Sequence, residues 1–363
     1  MNIPMVDPAR EYRELKSEID AAVGRVLASG RFVLGPEGES LEHELAAFLG
    51  AGHAVGVNSG TDALHLPLVA AGIGPGDEVV IPAFTFFATG EAVSYTGATP
   101  VFADVDPGTY NLDPASLLRS ITRKTKAVIA VHLFGQCAPL DRIADICNAH
   151  KMVLIEDCAQ CIGAGYDGRR AGSWGDFGGF SFYPTKNLAA AGDAGLITAK
   201  SEAHARTLRM LRHHGSRQTY LHERVGWNSR LDELQAAVLR VKLKHLARFN
   251  EARRTVAKRY RERLAGTNLT LPTEHGRGAH VYHQFTVRSE RRDVIRDALA
   301  KDGIASSVFY PMPLHKQPAY ASLGKFELPV AENVSKSVLS LPIHPFLDDA
   351  SIDRIAACVR KVA

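Results

Sequence analysis

Between His53 and Asp157, short β-like runs alternate with amphipathic helical patterns, and this alternation limits the possible folds more than any other feature. The runs with strand character are His53–Asn58, Glu78–Ile81, Pro100–Asp104, Ala127–His132 and Val153–Asp157. The helical patterns between them are Thr61–Ala71, Phe87–Thr96, Pro114–Ser120 and Leu140–His150. Such alternation is typical of a parallel sheet covered by helices on both faces. We therefore expect an α/β fold with a mostly parallel sheet.

The alternation ends near residue 244, where a long and charged helical pattern covers Lys244–Leu264. The predicted elements after it are strands at His280–Arg288 and Ala305–Phe309 and helices at Asp293–Lys301 and Ala350–Val362. A chain of 363 residues has room for two domains of ordinary size. We therefore expect a large domain over residues 1–244 and a smaller α+β domain over residues 245–363.

Charge and hydropathy argue against several classes of protein. The net charge of +4 comes from 43 basic and 39 acidic residues spread along the chain, so we expect no nucleic-acid partner. No apolar run approaches the ~18 residues that a membrane span needs. The N-terminal residues also lack the apolar stretch of a secretion signal. We therefore predict a cytoplasmic protein that does not associate with membranes.

Two motifs match known binding patterns only in part. Cys158 and Cys161 form a C-x-x-C, but the sequence offers no second pair and no histidine beside it. Cysteines at the end of an apolar strand usually act as small buried apolar residues, so we expect no metal. Gly163–Gly168 matches G-x-G-x-x-G, but a dinucleotide site requires a helix directly after it. The following residues, Arg169–Gly175, are typical of a loop and argue against a nicotinamide cofactor.

Three further motifs together indicate a cofactor site. Ser59–Leu64 leads from a predicted strand into a helix, whose N-terminus can bind an anion. Asp157 ends an apolar strand, where open α/β sheets bind ligands, and Lys186 lies in a loop after an aromatic strand. Each motif alone also fits an ordinary role as a helix cap, a capping acid or an exposed lysine. Combined, they are the phosphate, pyridine and aldehyde contacts that pyridoxal 5′-phosphate (PLP) requires.

The order and spelling of these motifs resemble the DegT/StrS family of sugar-nucleotide aminotransferases, which share the fold of aspartate aminotransferase. The similar segments are Gly35–Glu37, Ser59–Leu64, Gly76–Val79, Pro82–Phe86, Glu156–Gln160, Ser181–Lys186, Gly226–Glu233 and Tyr310–His315. They extend over nearly the whole chain. The resemblance implies a fold type I architecture with PLP as its cofactor.

The resemblance also implies roles for individual residues. Lys186 would carry the cofactor and transfer the proton, and Asp157 would pair with the pyridine nitrogen. The implied cofactor contacts also include Gly60, Thr61, Phe86, Gln160, Ser181 and Asn228. Phe86 would stack on the ring, and Asn228 would reach the phosphate held by a neighbouring subunit. The implied substrate contacts are Arg230, Phe309, Tyr310 and His315. The active unit would then be a homodimer with shared sites.

The resemblance implies that the chain transfers an amino group from L-glutamate to a keto carbon of a nucleotide-linked ketosugar. Asn228–Glu233 and Tyr310–His315 look more like the corresponding segments of members that act at C3. One alternative is a C4 aminotransferase that makes a perosamine-type sugar, and a lesser one is a regulator that binds PLP without turnover. Lys186 favours transamination, because related dehydratases carry histidine there. Some members that accept a uronate have a histidine where this chain has Phe309. The missing imidazole argues against a uronate substrate but does not exclude one.

Overall fold

The computed structural model describes residues 2–363 and contains the predicted alternation of strands and helices. The strands are β1 His53–Val57, β2 Glu78–Pro82, β3 Thr99–Ala103, β4 Thr125–Val131, β5 Val153–Asp157, β6 Gly165–Tyr166, β7 Arg169–Arg170, β8 Phe177–Ser181, β9 Gly195–Ala199, β10 Ser216–Gln218, β11 Leu221–His222, β12 Phe285–Arg288 and β13 Val338–Leu341. The helices are α1 Pro8–Ser29, α2 Pro36–Leu49, α3 Gly60–Ala70, α4 Phe87–Tyr95, α5 Pro114–Ser120, α6 Leu140–His150, α7 Glu202–Leu211, α8 Glu233–Leu243, α9 Leu246–Leu264, α10 Arg292–Lys301, α11 Pro329–Ser337 and α12 Asp349–Arg360.

A seven-stranded sheet with the order β1-β9-β8-β5-β4-β2-β3 forms the centre of the larger unit. Strand β9 is antiparallel to both of its neighbours, β1 and β8. The remaining neighbours in this sheet pair in parallel. The prediction of an α/β fold with a mostly parallel sheet is therefore confirmed.

The sheet is buried on both faces, as the alternation of β4 illustrates. Ala127 and Ile129 pack into an apolar cluster with side chains of α3 and α4. Val128 and Ala130 pack on the opposite face, in a cluster with side chains of α5 and α6. Successive residues of a strand point to opposite faces, so helices on both sides are needed to remove this apolar surface from water.

Several predicted elements after the large sheet differ from the structure. The strand predicted at His280–Arg288 is only Phe285–Arg288, because Tyr282 has a positive φ of 44° that interrupts an extended backbone. The strand predicted at Ala305–Phe309 was wrong, since the segment makes only one isolated bridge, from Ser307 to Ser340. An apolar pattern does not create a strand where no neighbouring strand continues the hydrogen-bond ladder.

The second unit is built on the antiparallel pair β12–β13, packed against α9, α10 and α12. Helix α8 ends at Leu243 and α9 begins at Leu246, and we propose that the two domains meet at this break. Ile3 pairs with Ile304 and packs in the core of the second unit, although it lies at the opposite end of the chain. No helix within residues 2–363 has the length and apolarity of a membrane span.

The G-x-G-x-x-G segment forms part of a β-hairpin. Strands β6 and β7 pair across a turn whose central residues, Asp167 and Gly168, have positive φ values of 45° and 77°. Two positive φ angles in a two-residue turn match the twist of a hairpin. No helix follows the segment, as we predicted, but Arg169 and Arg170 form a strand and only the residues after them, 171–175, form the predicted loop.

Candidate active site

A cavity of about 550 Å³ opens at the carboxyl edge of the sheet, where β4, β5 and β8 end at Val131, Asp157 and Ser181. Most of the residues predicted to bind cofactor or substrate line this cavity: Gly60, Thr61, Phe86, Asp157, Gln160, Ser181, Lys186, Phe309 and Tyr310. They come from distant parts of the chain. Parallel strands bring their carboxyl ends to one edge, which is why the fold assembles them.

The N-terminus of α3 forms one wall. Ser59 is its N-cap, with its hydroxyl accepting a hydrogen bond from the backbone N–H of Asp62 at 3.1 Å. Gly60 and Thr61 follow in the first turn, where backbone N–H groups have no partner within the helix. A Cβ on Gly60 would lie only 2.5 Å from Cβ of Ser181. Glycine therefore lets α3 approach the end of β8, and the resulting cradle suits a phosphate.

Asp157 is buried in the cavity wall at the end of β5. One carboxylate oxygen accepts a hydrogen bond from the backbone N–H of Ala159 at 3.1 Å, and the other accepts one from the Thr89 hydroxyl at 2.9 Å. Burial raises the pKa of Asp157, while these two hydrogen bonds oppose the rise. Within residues 2–363, no ion pair to this carboxylate is formed. A buried carboxylate of this kind favours a cationic ligand such as a protonated pyridine nitrogen.

Glu156 precedes Asp157 but has a structural role. Its carboxylate accepts hydrogen bonds from backbone N–H groups of the loop 172–175 at 2.7–2.8 Å. It also contacts Nε2 of His132 at 3.0 Å. Since Nδ1 of that ring accepts from the backbone N–H of Ala138, Nε2 carries the proton that Glu156 accepts. Neighbouring strand residues face opposite sides of the sheet, so only Asp157 reaches the cavity.

The tertiary structure brings a histidine to the C-x-x-C motif. Possible ligand atoms of His132, Cys158 and Cys161 lie within 4.8 Å of one another, and all three residues are buried. Both nitrogens of His132 already have protein partners. Burial raises the pKa of both thiols, which keeps them protonated. The absence of a metal stays a prediction, and these partners favour a packing role for the cluster.

Lys186 lies in the loop after β8, with its backbone N–H donating to the carbonyl of Tyr183 at 2.8 Å. Its side chain enters the cavity. Burial lowers its pKa from 10.5 to about 8, although the negative charge of Asp157 acts in the opposite direction. About half of such lysines are neutral near pH 8, and a neutral amine is the form that attacks an aldehyde.

Aromatic and amide side chains complete the wall. Gln160 accepts a hydrogen bond from the backbone N–H of Phe134 at 2.7 Å and donates one to the Tyr310 hydroxyl at 3.0 Å. Phe86 lies at the N-terminus of α4, with its ring centre 6.0 Å from that of Tyr310. Its side chain is 58% exposed, so one ring face is available to a planar ligand. Phe309 lines the same region.

Sequence reasoning missed several residues of the cavity, including His283 and Gln284. The amide of Asn187 donates to Asn250 and to the carbonyl of Val281, which leaves its oxygen to accept from Nδ1–H of His283 at 3.3 Å. Burial lowers the pKa of His283 well below its usual value, so the ring is neutral. The only signal in the sequence was a histidine inside a predicted strand, which did not indicate a site.

Three predicted site residues do not line the cavity of their own chain. Asn228 is exposed and pairs with His213 through the backbone. Arg230 contacts Nδ1 of the same histidine at 3.3 Å. His315 is buried, with Nε2 3.1 Å from a carboxylate oxygen of Glu332. Asn228 and Arg230 therefore lie beside His213 outside the cavity, and His315 lies in a packed region outside it.

The chain is similar over nearly its whole length to a family of aminotransferases and to individual members of known name. A sequence model of the DegT/DnrJ/EryC1/StrS aminotransferase family matches residues 13–360. The chain is 48% identical over 359 residues to an Acidithiobacillus ferrooxidans protein named UDP-N-acetyl-3-dehydro-alpha-D-glucosamine 3-aminotransferase, with 99% of this chain and 97% of that protein covered. It is 46% identical over 372 residues to a Geobacillus stearothermophilus protein named pleiotropic regulatory protein, with 100% of both covered.

Solved structures are also similar. The crystal structure of Streptomyces venezuelae DesV in complex with a ketimine intermediate has a TM-score of 0.97 and 47% identity to this chain. That match covers 99% of this chain and 98% of DesV. Other similar structures were solved in a PLP form or a PMP form. The likeness therefore extends from sequence to fold and to the type of cofactor bound.

Proposed function

The chain belongs to the DegT/DnrJ/EryC1/StrS family of PLP-dependent aminotransferases, and we propose that it transfers an amino group from L-glutamate to C3 of a nucleotide-linked ketosugar. The observation that carries the proposal is the meeting of Lys186, Asp157 and the N-terminus of α3 in one cavity. A reactive amine, a buried acid and an anion cradle are what this cofactor needs. The reaction carbon is supported by the name of the A. ferrooxidans relative.

The residues present fit the cofactor. The cradle of Gly60, Thr61 and Ser181 would hold its phosphate, because the missing side chain at Gly60 lets the N-terminus of α3 lie close to Ser181. Asp157 would hold the ring nitrogen, and Phe86 would cover one face of the ring. When bound, PLP supplies an aldehyde that joins to amines and a protonated ring that withdraws electrons from the joined carbon.

Lys186 would carry the cofactor and, once its amine is free, would move a proton between the substrate carbon that bears the nitrogen and the cofactor carbon joined to that nitrogen. Burial lowers the pKa of Lys186 to about 8, much closer to neutral pH than the usual value of 10.5. A group with such a pKa can both take up and release a proton at Nζ. Asp157, held by two hydrogen bonds, keeps a negative charge in the wall and thereby favours a protonated ring nitrogen.

We propose that the site is completed by a second copy of the chain. Asn228 and Arg230 do not line the cavity of their own chain, and Asn228 is exposed. A two-fold interface would bring the same residues of each subunit to the site of the other. Chains with Lys186→Ala and chains with Asn228→Ala are each expected to be inactive or impaired. Verified mixed dimers would regain activity, because both defects fall in one site and the other is whole.

Absence of recovery in verified mixed dimers, or full activity of a monomer, would contradict the shared site.

The cytoplasmic location stays a prediction, and fractionation of cells that express the chain tests it.

The second candidate is a regulator that binds PLP without turnover, which the name of the G. stearothermophilus relative favours. A regulator would also need Lys186 and Asp157 to hold the cofactor, so these two residues do not distinguish the candidates. The two functions differ in one measurable property. A regulator would take up PLP at Lys186 without converting any amino donor.

The test uses the reverse reaction, because the amino sugars are more stable than the ketosugars. Purified enzyme with PLP is mixed with 2-oxoglutarate and either a 3-amino or a 4-amino nucleotide sugar, and glutamate formation is measured. Glutamate from the 3-amino sugars alone supports the proposal. Glutamate from the 4-amino sugars alone favours the perosamine-type alternative, and none from either class contradicts sugar amination. Lys186→Ala is the matched control, and borohydride reduction should place the pyridoxyl adduct on Lys186.

A further inference from the structure

Two buried threonines form a hydrogen-bonded chain that ends on Asp157. Thr89 lies in the first turn of α4, and its hydroxyl is 2.9 Å from a carboxylate oxygen of Asp157. The Thr85 hydroxyl lies 3.1 Å from that of Thr89. Thr85 and Thr89 are 3% and 1% exposed, so bulk water does not compete for these bonds. All three side chains line the cavity.

Counting protons fixes the direction of the chain. An ionised carboxylate only accepts hydrogen bonds, and a hydroxyl has one proton to donate. The Thr89 proton therefore goes to Asp157, and Thr85 must donate to the oxygen of Thr89. Hydrogen bonds in such a chain strengthen one another. A chain with this direction stabilises the ionised form of the acid.

The chain also fixes the orientation of the carboxylate. The backbone N–H of Ala159 donates to one carboxylate oxygen of Asp157, and the Thr89 hydroxyl donates to the other. With both oxygens held, the side chain has one orientation in the wall. Threonine suits this task better than a flexible donor, because its branched Cβ restricts rotation about χ1.

We propose that Thr89 is a positioning residue, supported by Thr85, which keeps Asp157 ionised and aimed at the ring nitrogen of the cofactor. The inference rests on the proposed role of Asp157. Thr89 would not react itself, and its effect would reach the reaction only through the acid. Loss of its hydroxyl should therefore affect a cofactor that has a ring nitrogen more than one that lacks it.

The test compares the binding of two ligands to cofactor-free enzyme. One is PLP, and the other is its 1-deaza analogue, in which a carbon replaces the ring nitrogen. Thr89→Val removes the hydroxyl and keeps the shape. We expect it to weaken PLP binding about tenfold, as for a hydrogen bond to a charged group, and to change binding of the analogue less than twofold. Thr89→Ser should restore the preference for PLP over the analogue. Thr85→Val should reduce that preference about twofold.

Thr286→Val is the matched control, because Thr286 is 1% exposed and its hydroxyl contacts Ser340 in the second unit. Its preference for PLP over the analogue should equal that of the unmodified enzyme. Equal weakening of both ligands by Thr89→Val would overturn the inference and indicate a merely structural role. If Thr89→Val does not fold, Thr89→Ala is measured in the same way.

Asp157→Asn separates this inference from its premise. If this variant loses the preference but Thr89→Val keeps it, Asp157 contacts the nitrogen and the inference about Thr89 is wrong. If Asp157→Asn keeps the full preference, the assignment of Asp157 itself is wrong, and the inference fails with it.

Discussion

The amine of Lys186 is expected to react at a pH where ordinary lysines do not. Burial lowers its pKa from 10.5 to about 8, a shift that corresponds to about 3 kcal/mol in favour of the neutral form. At pH 8 about half of the Lys186 amines are then neutral, compared with roughly 0.3% for a lysine of ordinary pKa. The neutral fraction is therefore larger by about 150-fold.

The measurement is competitive labelling of cofactor-free enzyme with a limiting amount of acetic anhydride between pH 6 and 11. Mass spectrometry of the peptides gives the labelling of Lys186, and added Nα-acetyl-lysine serves as the internal reference. Labelling of Lys186 should reach half of its maximum near pH 8. The reference should do so above pH 10.

Replacement of the neighbouring acid adds a second check. The charge of Asp157 raises the pKa of Lys186, so Asp157→Asn should move the midpoint below 8. A midpoint near 10 in the unmodified enzyme would refute the argument that burial sets the reactivity. A midpoint that rises in Asp157→Asn would refute the assigned sign of the Asp157 charge.

Three other predictions concern the same cavity. Asp157→Asn should lower turnover about 10²–10³-fold, because the amide cannot hold a ring nitrogen protonated, and near-normal turnover would show that another acid acts. Gly60→Ala should weaken PLP binding at least about tenfold, since its Cβ would lie 2.5 Å from that of Ser181; Gly24→Ala, with nothing within 4 Å, is the control measured by the same titration. The folded pKa of Lys186 lies below its unfolded value, so the charged amine opposes folding fully below pH 8, and the cost disappears as pH rises through 10.5. Lys186→Met should therefore raise the unfolding free energy of cofactor-free enzyme by up to about 3 kcal/mol at pH 7 in urea unfolding, and equal gains at pH 7 and pH 11 would contradict this account.

Local patterns predicted the elements of the large sheet well. The helices at Pro114–Ser120 and Leu140–His150 and the strand at Val153–Asp157 have the predicted ends. Apolar periodicity, proline at a helix start and a capping acid such as Asp113 act over a few residues, so they can be read without knowledge of the fold. Antiparallel β9 was not predicted, because strand direction depends on partners far away in the chain.

The sequence was also sufficient to predict three residues that the structure brings together in one cavity and that we assign to the cofactor. Gly60, Asp157 and Lys186 each follow or lie near a strand end, and parallel strands bring such ends to one edge. The sequence did not predict which other residues contact these three. Thr89 reaches Asp157 only because α4 packs against the end of β5. His283 reaches the cavity only because the second unit closes one side of it.

By itself, then, the sequence determined the mostly parallel sheet and the family to which the chain belongs, and it predicted the three groups that we assign to the cofactor. Only the tertiary structure decided that Glu156 supports a loop while Asp157 faces the cavity, that His132 lies beside the buried thiols, and that His315 packs away from the site. The physical reason is the range of the interactions. Backbone preference and apolar periodicity act between near neighbours, whereas burial, pKa and hydrogen-bond partners are sums over residues that only the folded chain brings together.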